Sequence, residues 1–181
     1  MTTKSSATGI TPTPKTVVPL HGDKRWAYLS RQKTIRLATT EEDGSIYLSP
    51  LWFVVDNKHL YLPIDAAGRH GRNGEAGRPL AALVDAGDEF STVTGVRIVG
   101  RMAWVEDTTM VDRLSTLLFE KYFYVGHPHA EVYFEMGAAA GRKFYELVPD
   151  RIVGWDAREI AVSPGPESRV LPDFVKDRLV P

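Results

Sequence analysis

The segment Gly68-Arg69-His70-Gly71-Arg72-Asn73-Gly74 holds the densest polar chemistry of the chain. Two arginines and a histidine fall within four residues, among three glycines. Arginine offers two charge-assisted donors to one phosphate, and glycine lets backbone N–H groups approach it closely. The loop therefore suits a phosphate; the same composition also suits a solvated basic turn. It is not a Walker loop, because no G-x-x-x-x-G-K-[ST] occurs. It is not a dinucleotide fingerprint either, because its surroundings read as antiparallel β.

Leu48-Ser49-Pro50-Leu51-Trp52-Phe53 is the second feature. A proline inside a strand removes a ladder donor, so it marks an edge or a bulge. A bulged strand carrying Trp52 and Phe53 offers backbone groups and aromatic faces to a planar ring. Core packing is the alternative, and the simpler one for Phe53. His127-Pro128-His129 supplies two metal ligands where zinc needs three or four, and no third is placed beside them. A solvent-exposed turn is expected there, and no metal. Glu41-Glu42-Asp43 reads as a solvated turn. There is no G-x-S-x-G elbow and no cysteine, so a serine or cysteine hydrolase has no support. No side chain is assigned as catalytic.

The elements that must position these residues are mostly strands. Asp23 to Arg31 reads as a short helix capped by Asp23, with Trp26 and Leu29 on one side. Strands are expected over Thr34–Thr39, Ile46–Val55, His59–Ile64, Leu80–Asp85, Val93–Glu106, Lys143–Val148 and Arg151–Trp155. Asp43-Gly44 is a hairpin turn. Both faces of Ile46–Val55 are largely apolar, so both should be covered. Asp107 to Tyr124 is the best helix, with Met110, Leu114, Leu117, Leu118 and Tyr122 at helical spacing and Thr109-x-x-Asp112 resembling a capping box. Ala130 to Ala140 suits another helix. Six or seven short strands joined by hairpins predict a mainly β fold, an antiparallel barrel with flanking helices.

The chain has 181 residues, enough for one compact domain, expected over 21–162. Residues 1–20 read as a flexible arm, and 163–181 as a Pro-rich tail that packs on the barrel or on a partner subunit. The net charge of −1 favours neither nucleic acid nor an anionic membrane. The absence of cysteine excludes disulfides and thiolate metal sites. No apolar run approaches the roughly 18–20 residues that span a bilayer. The N-terminus lacks the apolar core of a signal peptide. A cytoplasmic protein is expected.

The order of strand, Asp-Gly turn, "SPLWF", "LYLP", basic loop "GRHGRN", strand, long strand "GVRIVGRM" and helix resembles the pyridoxamine 5'-phosphate oxidase-like superfamily of FMN-binding split barrels. That group includes flavin and deazaflavin oxidoreductases. The resemblance covers about Trp26 to Asp156, and "FYELVPDRIVGWD" is similar to the last two strands of the family. It implies a six- to seven-stranded split β-barrel working as a homodimer, with the cofactor at the dimer interface and a small-molecule substrate. It implies that Ser49, Pro50, Leu51 and Trp52 run along the ring and ribityl chain. Pro63, Ile64 and Asp65 and the basic loop would hold the phosphate. The family often reads Ser-Arg-Lys-x-x-Asn in that loop. Arg69 and Asn73 match, Gly68 and His70 depart from it, and Arg72 lies just before the Asn. Val96 and Arg97 would sit near the cofactor of the partner subunit. The resemblance implies an FMN-dependent oxidoreductase. The alternatives are a deazaflavin (F420) reductase, a non-enzymatic flavin protein, and a haem protein ligated through His21, His127 or His129.

Overall fold

The computed structural model describes residues 18–89 and 92–158. The expected tail and most of the expected arm lie outside them. Eight strands form one antiparallel sheet. In chain order they are β1 (Val18–Pro19), β2 (Ile35–Thr40), β3 (Ile46–Leu51), β4 (Val54–Asp56), β5 (His59–Asp65), β6 (Leu80–Ala86), β7 (Thr94–Trp104) and β8 (Arg142–Asp156). The helices are α1 (Gly22–Arg31), α2 (Arg69–Glu75), α3 (Thr108–Tyr122) and α4 (Ala130–Ala139). The sheet order is β3-β2-β6-β7-β8-β5-β4, with β1 added to β8. The sheet curls, so its end strands β3 and β4 are joined in sequence by only Trp52 and Phe53. This is the expected split barrel.

Alternation along the strands fills its interior. Ile35 and Leu37 of β2, Leu60 and Leu62 of β5, Val96 and Ile98 of β7, and Tyr145 and Leu147 of β8 form one buried cluster. Tyr28 and Leu29 of α1 join it. Strand β5 is buried on both faces, because Tyr61 points outward into a second cluster with Val54, Phe144, Leu114 and Leu118 of α3. Leu114 and Leu118 are fully buried, each stabilising the helix–sheet contact by about 1.5–3 kcal/mol. Arg113 of α3 adds a two-pronged bond to the buried Asp56 carboxylate, at 2.8 and 2.6 Å.

Four local features differ from the sequence reading. Asp23 does not cap α1; His21 holds that position, and Asp23 in the first turn pairs with Lys58 at 2.8 Å. Asp107 caps α3 by accepting from the Met110 amide, so no Thr109 capping box forms. The expected strand Ile46–Val55 breaks at Trp52-Phe53, where the chain crosses from one end of the sheet to the other. The two expected C-terminal strands form one, β8, which runs through Pro149. An irregularity between Val99 and Gly100 absorbs the missing donor of Pro149. Gly100 is required there, because a Cβ would lie 2.1 Å from the Val148 carbonyl oxygen.

Candidate functional site

A cleft of about 540 Å³ opens beside the split of the barrel. Strand β3 supplies Tyr47, Ser49, Pro50 and Leu51 to it, followed by Trp52. The end of β5 supplies Pro63, Ile64 and Asp65. The entry to α2 supplies Gly68, Arg69 and His70. Nine of the residues singled out in the sequence therefore face one space: Ser49, Pro50, Leu51, Trp52, Pro63, Ile64, Asp65, Arg69 and His70. Thr34, Tyr47, Tyr133 and Arg142 complete the wall and were not legible as site residues.

Arg142 arrives by register. It opens β8 directly opposite Asp65, the last residue of β5. Its Nε donates to the Asp65 carboxylate at 2.7 Å, and its guanidinium lies 4.6 Å from the Tyr133 ring centre. Arg69 is exposed, with its guanidinium 5.0 Å from the ring centre of Tyr47. Cation–π packing of this kind orients the charge without neutralising it.

The basic segment forms a helix directly after β5. Arg69 to Glu75 form α2, which packs tightly on the end of β5. Gly71 permits this approach, since a Cβ there would lie 2.4 Å from the Ala66 carbonyl oxygen. The helix turns His70 and Asn73 inward; they are 5% and 1% exposed. His70 bridges two hydroxyls, Thr39 Oγ1 at Nδ1 and Ser49 Oγ at Nε2, both at 2.9 Å. Its ring also packs 4.6 Å from that of Tyr47. Burial pushes its pKa down to about 4, only partly opposed by the nearby Glu41 carboxylate. It is a neutral group in the wall, and Arg69 is the cation of this helix entry.

Asn73 stands behind the cleft, donating to Thr39 Oγ1 at 2.9 Å and accepting from Arg78 at 2.8 Å. Arg72 is exposed and folds back onto the Ala67 carbonyl. Val96 lies in the barrel core, and Arg97 faces outward from β7. None of these four lines the cleft.

Trp52 is fixed as an aromatic wall. It stacks on Tyr122 at 4.3 Å and 10°, with Tyr133 4.9 Å and Phe123 5.5 Å away. Strand β3 bonds β2 along one edge only, so its other edge keeps N–H and C=O groups open beside the cleft. Ile46 and Leu48 on this strand are 64% and 61% exposed, so one of the two apolar faces expected to be covered is open in the single chain. Among the described residues no cluster of three metal-ligating side chains occurs, and no helix is long and apolar enough to cross a membrane.

The cleft thus combines a planar aromatic wall, an open strand edge, two guanidiniums and a hydroxyl. Its volume lies within the roughly 300–1,000 Å³ of small-molecule and cofactor sites. These residues fit a flat ring carrying an anionic chain.

Comparisons with known proteins agree with this architecture. A conserved hypothetical protein from Mycobacterium tuberculosis superposes with a TM-score of 0.69 at 22% identity, covering 82% of this chain and 92% of that one. The haem storage protein HutZ from Vibrio cholerae gives 0.59 at 17% identity, covering 78% and 99%. A FAD-binding protein from Mesorhizobium loti gives 0.57 at 19% identity, covering 77% and 95%. At these identities the likeness is one of fold. No curated protein matches by sequence. The family model for pyridoxamine 5'-phosphate oxidase matches residues 23–156, which hold strands β2 to β8. The chain belongs to the pyridoxamine 5'-phosphate oxidase family.

Proposed function

We propose that the protein is a flavin-dependent oxidoreductase that holds FMN in this cleft and acts on a small molecule as a homodimer. The observation that carries the reading is the convergence of β3, the end of β5 and the entry of α2 on one space. When bound, the flavin supplies hydride transfer at its N5 position. The chain binds and orients it. Arg69, unneutralised and exposed, takes the phosphate, supported by Arg142 at the other side of Asp65. The open edge of β3 offers backbone donors and acceptors to the ring, and Trp52 offers a rigid face. Ser49, Pro50, Leu51, Pro63, Ile64 and His70 complete the contact surface. Asn73 acts on it through Thr39.

The dimer is supported by the exposed Ile46 and Leu48 on an edge strand beside the cleft. In that arrangement Arg97 is assigned to the cofactor of the second copy and Arg72 to the outer rim, while Val96, fully buried in the barrel core, is given no contact with it. A deazaflavin such as F420 is the second reading, since the cleft is open and bordered by Arg69 and Arg142. The FAD-binding neighbour supports a flavin in general. Haem has less support than HutZ would suggest. The one histidine lining the cleft has both ring nitrogens occupied and offers no axial ligand.

The test is the absorption spectrum of the purified protein, with mass spectrometry of any released cofactor. Two flavin bands with released FMN support the reading. A single deazaflavin band moves it to F420. Failure to bind FMN, F420 and haem when each is added overturns it.

A further inference from the structure

A second depression, of about 350 Å³, adjoins the cleft. Arg31, Gln32, Lys33, Thr34, Arg36 and Asp85 line it, and Thr34 lines the cleft as well. The register of β2 on β3 places it. Thr39 lies opposite Tyr47 and Ile35 opposite Leu51, so Thr34 comes just past the Leu51 end of β3. Arg69 packs on Tyr47, at the other end. Between Tyr47 and Leu51 the strand runs about 13 Å. The depression therefore lies at the far end of the cleft from the cation given to the flavin phosphate.

Its charge is positive. Asp85 is the one carboxylate on its wall, and Arg36 pairs with it at 3.1 Å. Arg31 and Lys33 remain. Each donates to a backbone carbonyl, and neither pairs with a carboxylate among the described residues. Arg97 is exposed in the same cross-strand row as Arg36 and Leu83, so it adds to the same sign.

Lys33 is also held in place. Its carbonyl oxygen accepts from the Tyr122 hydroxyl at 2.9 Å. Its ammonium donates to the Lys121 carbonyl, 5.1 Å from the Tyr122 ring centre. Tyr122 stacks on Trp52, so one residue fixes both the aromatic wall and the cation beside it. The charge is not screened out locally: after burial, it is Lys33 that lowers the pKa of Lys121, to about 7. Cations fixed beside a planar site without a counter-charge suit a carboxylate or a phosphate ester. FMN has one phosphate, and Arg69 takes it.

We propose that Arg31 and Lys33 anchor the charged group of the substrate, a small organic anion whose uncharged part lies over the Trp52 end of the cleft. The anion site stands on the placement of these cations; its use by a substrate rests on the flavin reading above.

Benzoate, phenyl phosphate and benzamide would be titrated by calorimetry into the FMN-loaded protein. At least one anion is expected to bind about fivefold tighter than neutral benzamide, the size of one exposed ion pair. Which anion is tighter decides between carboxylate and phosphate ester. Added salt should weaken the anions more than benzamide. Arg31 and Lys33 are exposed, so Arg31→Ala and Lys33→Ala keep the fold. Each should weaken the tighter anion about fivefold. Lys33→Arg should retain it, and FMN affinity should hold in all three. Benzamide binding as tightly as both anions, or anion affinity unchanged in both alanine variants, overturns the inference. FMN affinity falling in step with anion affinity would give these cations to the cofactor and overturns it too. A protein that takes up no FMN overturns the flavin reading instead, and the same titrations into the flavin-free protein then decide the anion site alone.

Discussion

The Tyr122 hydroxyl lies 2.9 Å from the Phe53 amide nitrogen and 2.8 Å from the Phe53 carbonyl oxygen. Phe53 sits where the chain leaves β3 and enters β4, so its backbone belongs to neither ladder. The end of α3 satisfies it instead. Lys121 adds a second donor to the same carbonyl at 2.8 Å. Tyr122 also stacks on Trp52, so one side chain closes the split and fixes an aromatic wall of the cleft.

Tyr122→Phe keeps the ring and removes the hydroxyl. The Phe53 carbonyl retains Lys121, while the Phe53 amide loses its partner. A destabilisation of about 1–3 kcal/mol is expected, the cost of an unsatisfied buried donor. Urea unfolding of the two proteins measures it; equal stability would refute the role given to the hydroxyl.

Gly71→Ala tests how α2 is seated. The added Cβ would meet backbone oxygens of Ala66 and Asp65 at 2.4 and 2.6 Å, and neither can move without shifting the end of β5. A loss of about 1–3 kcal/mol is expected, typical of overpacking. Flavin affinity should fall as well, because Arg69 and Asp65 lie on the two elements forced apart. Unchanged affinity in a folded variant would detach α2 from the site.

Much of this site was legible before the structure. Pro50 inside an apolar strand announces an edge, and β3 is an edge strand. The glycines of the basic segment suggest backbone N–H groups approaching a phosphate, whereas the close approach Gly71 permits is that of α2 to the end of β5. Trp52-Phe53 gave no sign of a break, because both residues suit a strand and the crossing is decided by Tyr122 from 69 residues away. Arg142 was unreadable for a similar reason, since only the pairing of β5 with β8 brings it to Asp65. In the sequence His70 is visible only as a departure from the family's loop pattern. Its burial and its two hydroxyl partners depend on the packing of α2 against β2 and β3.

His70 should leave a mark on stability against pH. Its folded pKa, about 4, lies below the unfolded value near 6.5, because burial disfavours the charged form. Between these values the unfolded chain binds more protons than the folded one, so stability rises with pH there. The contribution is fully present above pH 6.5 and is lost as pH falls toward 4, by at most about 3 kcal/mol. His70→Gln should show a shallower decline in urea midpoint between pH 7.5 and 5. Identical slopes would contradict a neutral His70.

Asp65→Asn would free Arg142 from its 2.7 Å partner and add one positive charge to the cleft. The affinity for FMN relative to riboflavin should rise several-fold, most strongly at low salt. An unchanged ratio would place the phosphate away from Arg142.

The central claim is that this cleft binds a flavin through Arg69. The direct measurement is a fluorescence titration of FMN and riboflavin with the wild type and with Arg69→Ala, whose exposed side chain leaves the fold intact when removed. FMN should bind the variant at least about tenfold more weakly, a loss of roughly 1.4 kcal/mol, with riboflavin unaffected. Equal FMN affinity in the two proteins would contradict the account.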